Sequence, residues 1–402
     1  MVNALVSTAE TIRILVVDDS PPVRLIIAST LRKLGYDVVE AADGDQAYAM
    51  LQDQHIRMVV SDWMMPGMDG PALCRKVRES DDLGRYIYFM LVSTRDTNAD
   101  YIEGMDAGAD DFFSKPIDAT ELRVRMRAGV RVLQLEMRLA ERNRRLTLAY
   151  EQMREDLDAA GRIQRSLLPD GSLRLEHVEC EWCFVPSMLV SGDELNFFQL
   201  DERHVGFYNL DVAGHGVQAA MMSVTLSRLL SPTAVGGLLR SGPDAIASPA
   251  SVARALNGQF QITPEQSMYF TMIYGVLELE TGVIRFIQAG HTNPIVGTRS
   301  GVRLLTESCP PIGFIPDIDF VNQELVLRPG ERLYVYTDGI TECEDPTGQA
   351  FGEERLCNLL AGNREASLST TLQSVERELY AWRGSEAEGF RDDISMLAIE
   401  YR

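Results

Sequence analysis

ILVVDDS at residues 14–20 and MVVSDWMMPGMDG at residues 58–70 each run from a short apolar stretch into acid. Ile14 to Val17 end in Asp18-Asp19, and Met58 to Ser61 end in Asp62. Short aliphatic, β-branched runs that stop at polar turns read as buried strands. Outward from them, a helical pattern follows through Leu31, and Asp37 to Val39 read as a further strand. Tyr86 to Val92 end in Ser93-Thr94, and Asp111 to Phe113 end in Ser114-Lys115-Pro116. Strands separated by helical segments require right-handed crossovers, so the expected fold is an α/β domain with a parallel sheet. Ligands bind at the carboxyl ends of such strands, which is where the polar residues fall.

Neighbouring strands would bring Asp18, Asp19 and Asp62 together. An all-oxygen set suits Mg²⁺, which keeps several waters and takes one or two carboxylates beside a phosphoryl group. Lys115 has the charge to neutralise an acyl phosphate, and the Ser93 hydroxyl can bond one of its oxygens. Four blocks, VVDDS (16–20), SDWMMPGMDG (61–70), LVSTRD (91–96) and FFSKP (112–116), fit response-regulator receivers in order and spacing, and residues 12–125 resemble that family. The resemblance implies a flavodoxin-like α/β fold with a doubly wound, five-stranded parallel sheet, in which Asp62 accepts phosphate from a histidine kinase or phosphotransfer protein. It further implies Mg²⁺ held by Asp18, Asp19 and Asp62, and a switch formed by Ser93, Phe112 and Lys115.

After Thr120 no proline interrupts the chain until Pro169. Val132, Leu135, Leu139, Leu146, Ala149, Met153, Ala160, Ile163 and Leu167 recur at steps of three and four, with Arg142 and Asp156 as polar interruptions. Such a seam favours a long helical linker that pairs as a two-stranded coiled coil, making the protein a homodimer; a helix that packs its seam on its own domains is the alternative. The expected division is a receiver over residues 1–127, a linker over 128–169 and a second domain over 170–402. Arg138, Arg142, Arg144 and Arg145 read as a solvated helix face.

In the second half strands cluster. Leu195 to Leu200 and Val205 to Asp211 read as a hairpin, Gln218 to Leu230 as a helix, and Met272 to Glu278, Val283 to Gln288, Leu333 to Thr337 and Ser395 to Ile399 as strands. Grouped strands with intervening helices suggest a layered α+β domain. The Ser-, Pro- and Gly-rich stretch Ser231 to Pro249 reads as a flexible insertion. Acids recur beside glycines or in pairs: Gly192-Asp193, Asp211 in DVAGHG, Asp338 in YTDGITE, and Asp392-Asp393 in RDDIS. One Asp-Gly is usually a turn. Four such sites at strand ends suggest a divalent-metal centre, in which two ions share and activate a water.

These motifs, with AGRIQRSLLP (160–169), ALNGQF (255–260), FTMIYGVLE (270–278), AGHTNPI (289–295) and PPIGF (310–314), resemble the metal-dependent, PP2C-like serine/threonine phosphatases of the sporulation and stress-response subgroup over about residues 160–402. The resemblance implies an α-β-β-α sandwich, with Asp211, Asp338 and Asp392 as catalytic metal-binding residues. Asp193, the Val212 carbonyl and Asp393 would complete the site around two Mn²⁺ or Mg²⁺ ions. The implied substrate is a phosphorylated protein, an anti-sigma-factor antagonist by analogy. His215 and His291 are expected to pack or turn the chain. The family commonly shows an aromatic pair and another acid after Gly-Asp, where this chain has Glu194, Leu195 and Asn196. That departure keeps a second reading open, a catalytically weakened phosphatase-like adaptor that binds its partner as Asp62 is phosphorylated.

The chain has 402 residues, too many for one ordinary core. Its net charge of −21 argues against a nucleic-acid surface. No apolar run nears the roughly 20 residues that span a bilayer, and Met1 to Ile12 lack the pattern of a secretory signal, so a cytoplasmic protein is expected. Six scattered cysteines fit a reducing compartment, and the pair Cys180/Cys183 reads as packing, with no second pair to make a metal site.

Overall fold

A computed structural model describes residues 12–52, 55–94, 98–233, 237–242, 245–263, 268–384 and 389–402. The reading of residues 1–11, and Arg95 and Asp96 of the LVSTRD block, lie outside them. Two compact units form, residues 1–150 and 151–402.

The first unit contains β1 (Arg13–Val17), α1 (Pro21–Lys33), β2 (Asp37–Ala41), α2 (Gly44–Leu51), β3 (Ile56–Asp62), α3 (Gly70–Glu79), β4 (Tyr88–Ser93), α4 (Asn98–Asp106) and β5 (Asp111–Ser114). All pairings are parallel, in the order β2-β1-β3-β4-β5. The strands are aliphatic on both faces because helices cover both: Leu15, Val59, Phe89 and Leu91 pack one side, Ile14, Met58, Val60 and Met90 the other. Aspartates start two of the helices: the Asp43 carboxylate accepts from the Gln46 amide, and Asp69 from Ala72, with Pro71 in the first turn. The helix α5 (Ala119–Arg165) then runs 47 residues, as the uninterrupted periodicity requires. Its seam residues Leu135, Leu139, Leu146, Met153 and Ile163 are all more than half exposed.

The second unit continues with β6 (Leu173–Arg174), β7 (Val178–Val185), β8 (Glu194–Gln199), β9 (His204–Val212), α6 (Val217–Leu229), α7 (Pro249–Gln259), β10 (Phe270–Glu278), β11 (Val283–Ala289), β12 (Ile295–Thr298), β13 (Gly301–Leu304), β14 (Gln323–Val326), β15 (Arg332–Tyr336), α8 (Asp338–Thr341), α9 (Glu353–Gly362), α10 (Leu368–Arg383) and β16 (Ile394–Tyr401). Two sheets result, β14-β11-β10-β9-β8 and β13-β12-β15-β16-β7-β6. Alternation along the strands gives each sheet two apolar faces. Phe207, Ile273, Ile284, Val335, Leu397 and Ile399 fill the space between the sheets. Tyr208, Leu210 and Met272 face α6 and α7, while Tyr334, Met396 and Ala398 face α9 and α10. This is the four-layer α-β-β-α sandwich.

The described residues of the stretch Ser231 to Pro249, expected as a flexible insertion, are anchored to the domain. Arg240 bridges to Ile246, and Leu239 and Ala247 are buried against the α6 and α7 layer. The Ser, Pro and Gly content masked these apolar anchors. Cys180 and Cys183, three apart on β7, point to opposite faces, one between the sheets and the other toward α10, so they cannot share a metal.

Gly70 shows how tightly the first unit closes around its strand end. A Cβ there would lie 2.3 Å from the Asp62 carbonyl oxygen and 2.8 Å from Leu91 Cδ2. Backbone cannot give way cheaply, so Gly70→Ala is expected to destabilise this unit by about 1–3 kcal/mol. Its transition in differential scanning calorimetry should fall accordingly, and an unshifted transition would contradict the packing described.

Candidate functional site

In the first unit the strand order changes direction between β1 and β3, the switch point where such sheets bind ligands. Val17 pairs with Ser61, so Asp18 and Asp62 leave their strands side by side. Ligand oxygens of Asp18, Asp19 and Asp62 all lie within 4.8 Å of one another. Asp18 is buried, Asp62 is nearly so, and Asp19 faces solvent. Lys115 Nζ sits 2.8 Å from Asp62 Oδ1 and 3.1 Å from Asp18 Oδ2. Burial raises the pKa of Asp62, while the Lys115 bond and charge oppose that rise. Burial would lower the Lys115 pKa, yet its bonds to the two carboxylates leave it raised and the ammonium charged. Ser93 ends β4 buried beside this cluster's strand, and Phe112 meets the edges of Trp63 and Tyr101, each with ring centroids 6.0 Å away.

In the second unit the register explains why four distant motifs meet. Glu194 pairs with Leu210, so Asp193 and Asp211 occupy adjacent strand ends of one sheet. Tyr336 pairs with Met396, so Asp338 and the Asp392-Asp393 pair occupy adjacent strand ends of the other. The sheets are stitched together there: Thr337 Oγ1 donates to Asp193 Oδ2 at 2.7 Å and lies 3.1 Å from Ser395 Oγ, which donates to Asn209 Oδ1 at 3.0 Å. Glycines permit the approach. A Cβ on Gly339 would come 2.1 Å from the Asp393 carbonyl oxygen, and one on Gly192 would come 3.1 Å from the Val212 carbonyl oxygen.

The carboxylates repel one another. Burial lifts Asp193 well above its ordinary range, with the Asp211 and Asp393 charges adding to the lift. Burial likewise pushes Asp211 up to about 7, helped by Asp338, Asp392 and Asp393. Asp338 is raised by burial and then by Asp392 and Glu342. Oxygen donors suit hard divalent cations, and Asp193, Asp211, the Val212 carbonyl, Asp338 and Asp392 have that chemistry for Mg²⁺ or Mn²⁺, whereas among the described residues only Asp18, Asp19 and Asp62 form a set of three ligating side chains with oxygens within 4.8 Å of one another. In the first unit Asp18, Asp19 and Asp62 fit Mg²⁺ on the same chemistry.

Other flagged residues fall elsewhere. His215 is exposed in the glycine turn after β9. His291 is buried, shares a hydrogen bond of 2.8 Å with Thr271 through Nδ1, and is driven down to about 3 by burial, which keeps it neutral. Asn196 alternates to the strand face opposite Asp193, where Nδ2 donates to the Leu167 carbonyl at 3.1 Å. It therefore ties down the end of the α5 segment rather than facing the carboxylates. Asp393 uses both oxygens on the 187–192 loop: Oδ1 accepts from the Ser187 amide and hydroxyl, Oδ2 from the Ser191 hydroxyl and Gly192 amide. Sequence reasoning missed Gln164, Ser187, Ser191, Thr337 and Ser395. Their signal was weak, being small polar residues one to six positions from a motif acid, or a lone glutamine inside a helix.

Residues 201–402 match the family model of stage II sporulation protein E (SpoIIE), and residues 14–127 match that of the response regulator receiver domain. Protein IcfG of Synechocystis sp. is 28% identical over 266 residues, covering 61% of this chain and 41% of that protein. Phosphoserine phosphatase RsbP of Bacillus subtilis is 27% identical over 254 residues, covering 62% of this chain and 58% of that one. The chain thus spans about half the length of these relatives. The SiaA-PP2C domain of Pseudomonas aeruginosa superposes with a TM-score of 0.52 at 21% identity, over 63% of this chain and 99% of that domain, a likeness of fold. Fold and site together define a receiver fused to a PP2C-like phosphatase domain. The chain belongs to the stage II sporulation protein E family.

Glu194, where the family commonly places an aromatic, is fully buried, and neither oxygen meets a hydrogen-bond partner. Burial pushes its pKa from 4.5 up to about 8, with the nearby Ser227 hydroxyl opposing. The folded-state pKa lies above the unfolded one. The neutral acid's contribution to stability is therefore full below 4.5 and is lost as pH rises through about 8. Glu194→Gln should remove this loss, so melting temperatures of the two proteins should diverge in the variant's favour toward pH 8. Parallel pH profiles would contradict the assignment.

Proposed function

We propose that this chain is a response regulator in which phosphorylation of Asp62, by a histidine kinase or phosphotransfer protein, controls a metal-dependent protein serine/threonine phosphatase. The proposed division is a receiver at residues 1–127, a linker at 128–169 and the phosphatase at 170–402. The observation that carries the catalytic half is the register that sets Asp193 beside Asp211 on one sheet and Asp338 beside Asp392 on the other, with Thr337 Oγ1 joining the two sheets at Asp193. These carboxylate oxygens would hold divalent ions, which when bound would supply an activated water for attack on a phosphoryl group. Asp211, at the end of β9, would be one of the metal-holding carboxylates. Asp193, Asp338 and Asp392 flank it, and the Val212 carbonyl adds a neutral donor. The similarity to RsbP, a phosphoserine phosphatase, supports a phosphoserine substrate, and by family analogy that substrate is a phosphorylated anti-sigma-factor antagonist.

The adaptor reading rested on Glu194 and Asn196. Both alternate to the strand face away from Asp193, which favours the enzyme. Manganese-dependent hydrolysis of an aryl phosphate tests it. The chain should turn over, and Asp211→Asn should lose more than the roughly 100-fold that an outer-shell change costs. A folded chain inactive with every divalent cation would sink the reading.

For control, the exposed seam of α5 is the supporting feature. Its unpartnered leucines suit pairing with a second copy, and phosphorylation of Asp62 would bias how the helices pair. Leu139→Asp combined with Leu146→Asp should give a monomer in analytical ultracentrifugation whose phosphatase rate ignores an acyl-phosphate donor. A monomer that still responds normally would refute the linker's role.

A further inference from the structure

We propose that Asp393 is a positioning residue, whose carboxylate builds the 187–192 turn that presents Asp193 to the metal centre, and that it is not itself a metal ligand. This rests on the metal-centre reading above. A carboxylate offers about four lone-pair sites. Those of Asp393 are engaged by Ser187 N at 2.7 Å, Ser187 Oγ at 2.8 Å, Ser191 Oγ at 2.7 Å and Gly192 N at 2.8 Å. All four donors come from one loop, about 200 residues away in sequence. Direct coordination would displace one of them and leave a donor of the loop unsatisfied beside a side chain that is 7% exposed.

The loop has little freedom once these bonds form. Ser191 Oγ also accepts from the Asp193 amide at 3.0 Å, so one hydroxyl links Asp393 to the backbone of Asp193. Gln164 fixes the other flank, accepting from Ser191 N at 3.0 Å and donating to Ser191 O at 2.7 Å. With its turn so held, Gly192 lies against the Val212 carbonyl and the Asp193 carboxylate meets Thr337. The Asp393 backbone does the matching task on the other sheet, where its carbonyl packs on Gly339 beside Asp338. One residue thereby sets the spacing of three motifs that carry metal-binding carboxylates.

Mn²⁺ binding to the full chain, read by isothermal titration calorimetry, separates the two roles. Asp393→Asn keeps a side chain of the same shape, but its single acceptor oxygen can serve either Ser187 or the Ser191 and Gly192 pair, not both. It should bind the same number of ions as the unaltered chain, about 10- to 100-fold more weakly, whereas Asp392→Asn should lose an ion from the stoichiometry. Ser187→Ala with Ser191→Ala removes the two hydroxyl donors, keeps the two amide donors and leaves Asp393 intact, and it should weaken binding as well. Adding Asp393→Asn to that pair should cost little more, because both act through one loop. An Asp393→Asn chain that loses an ion, or a Ser187→Ala/Ser191→Ala chain with unchanged affinity, would overturn the proposal. Since the readout is binding, an unaltered chain that binds Mn²⁺ but hydrolyses no aryl phosphate would sink the phosphatase reading while the titrations still decide the role of Asp393.

Discussion

Negative charge brought to the ends of buried strands is the constraint from which both units are organised. Carboxylates in a low-dielectric setting cannot all be ionised at close range without a compensating cation. The receiver carries one of its own, since Lys115 reaches both Asp18 and Asp62. The second unit offers none: among the described residues no lysine or arginine pairs with Asp193, Asp211, Asp338 or Asp392. The first arrangement suits a group that is charged, discharged and recharged with phosphate. The second suits resident metal.

Holding such an array open demands rigid surroundings, and the sandwich supplies them. Two apolar faces per sheet lock the register that brings Asp193 beside Asp211 and Asp338 beside Asp392. Hydroxyls of Thr337 and Ser395 then tie one sheet to the other at the site, and glycines at 192 and 339 let backbones approach where any side chain would collide. The uncharged hydroxyl is the suitable tie, because it donates to a carboxylate without satisfying the demand for a cation.

Much of this was legible in the sequence, for identifiable reasons. The apolar runs ending in Asp18-Asp19 and Asp62, separated by helical segments, indicated a parallel sheet with acids at its strand ends, and the sheet order came from the structure. The helix through α5 was legible because it holds no proline and only the isolated glycines Gly129 and Gly161. Strand β7 was harder to see because Glu179 and Glu181 interrupt its apolar pattern, and the short strands β12, β13 and β14 are set by pairing rather than by local preference. The motif acids were visible as acids beside glycine or in pairs. Their division of labour was not: nothing local distinguishes Asp392, which is exposed, from Asp393, whose oxygens are engaged by a loop from the far end of the domain. Position 196 looked like a lost metal ligand until alternation along β8 turned it toward Leu167. Long-range register, absent from any window of sequence, decides these cases.

The central claim joins the two halves of the chain through Asp62, and one measurement addresses it directly. Phosphate release from a phosphoserine protein substrate can be followed for the intact chain with manganese, with and without beryllofluoride as the phosphoryl mimic on Asp62, beside the Asp62→Ala variant. The account predicts a several-fold change in rate on adding beryllofluoride to the unaltered chain and none for the variant. An active chain whose rate is the same in all four conditions would contradict it.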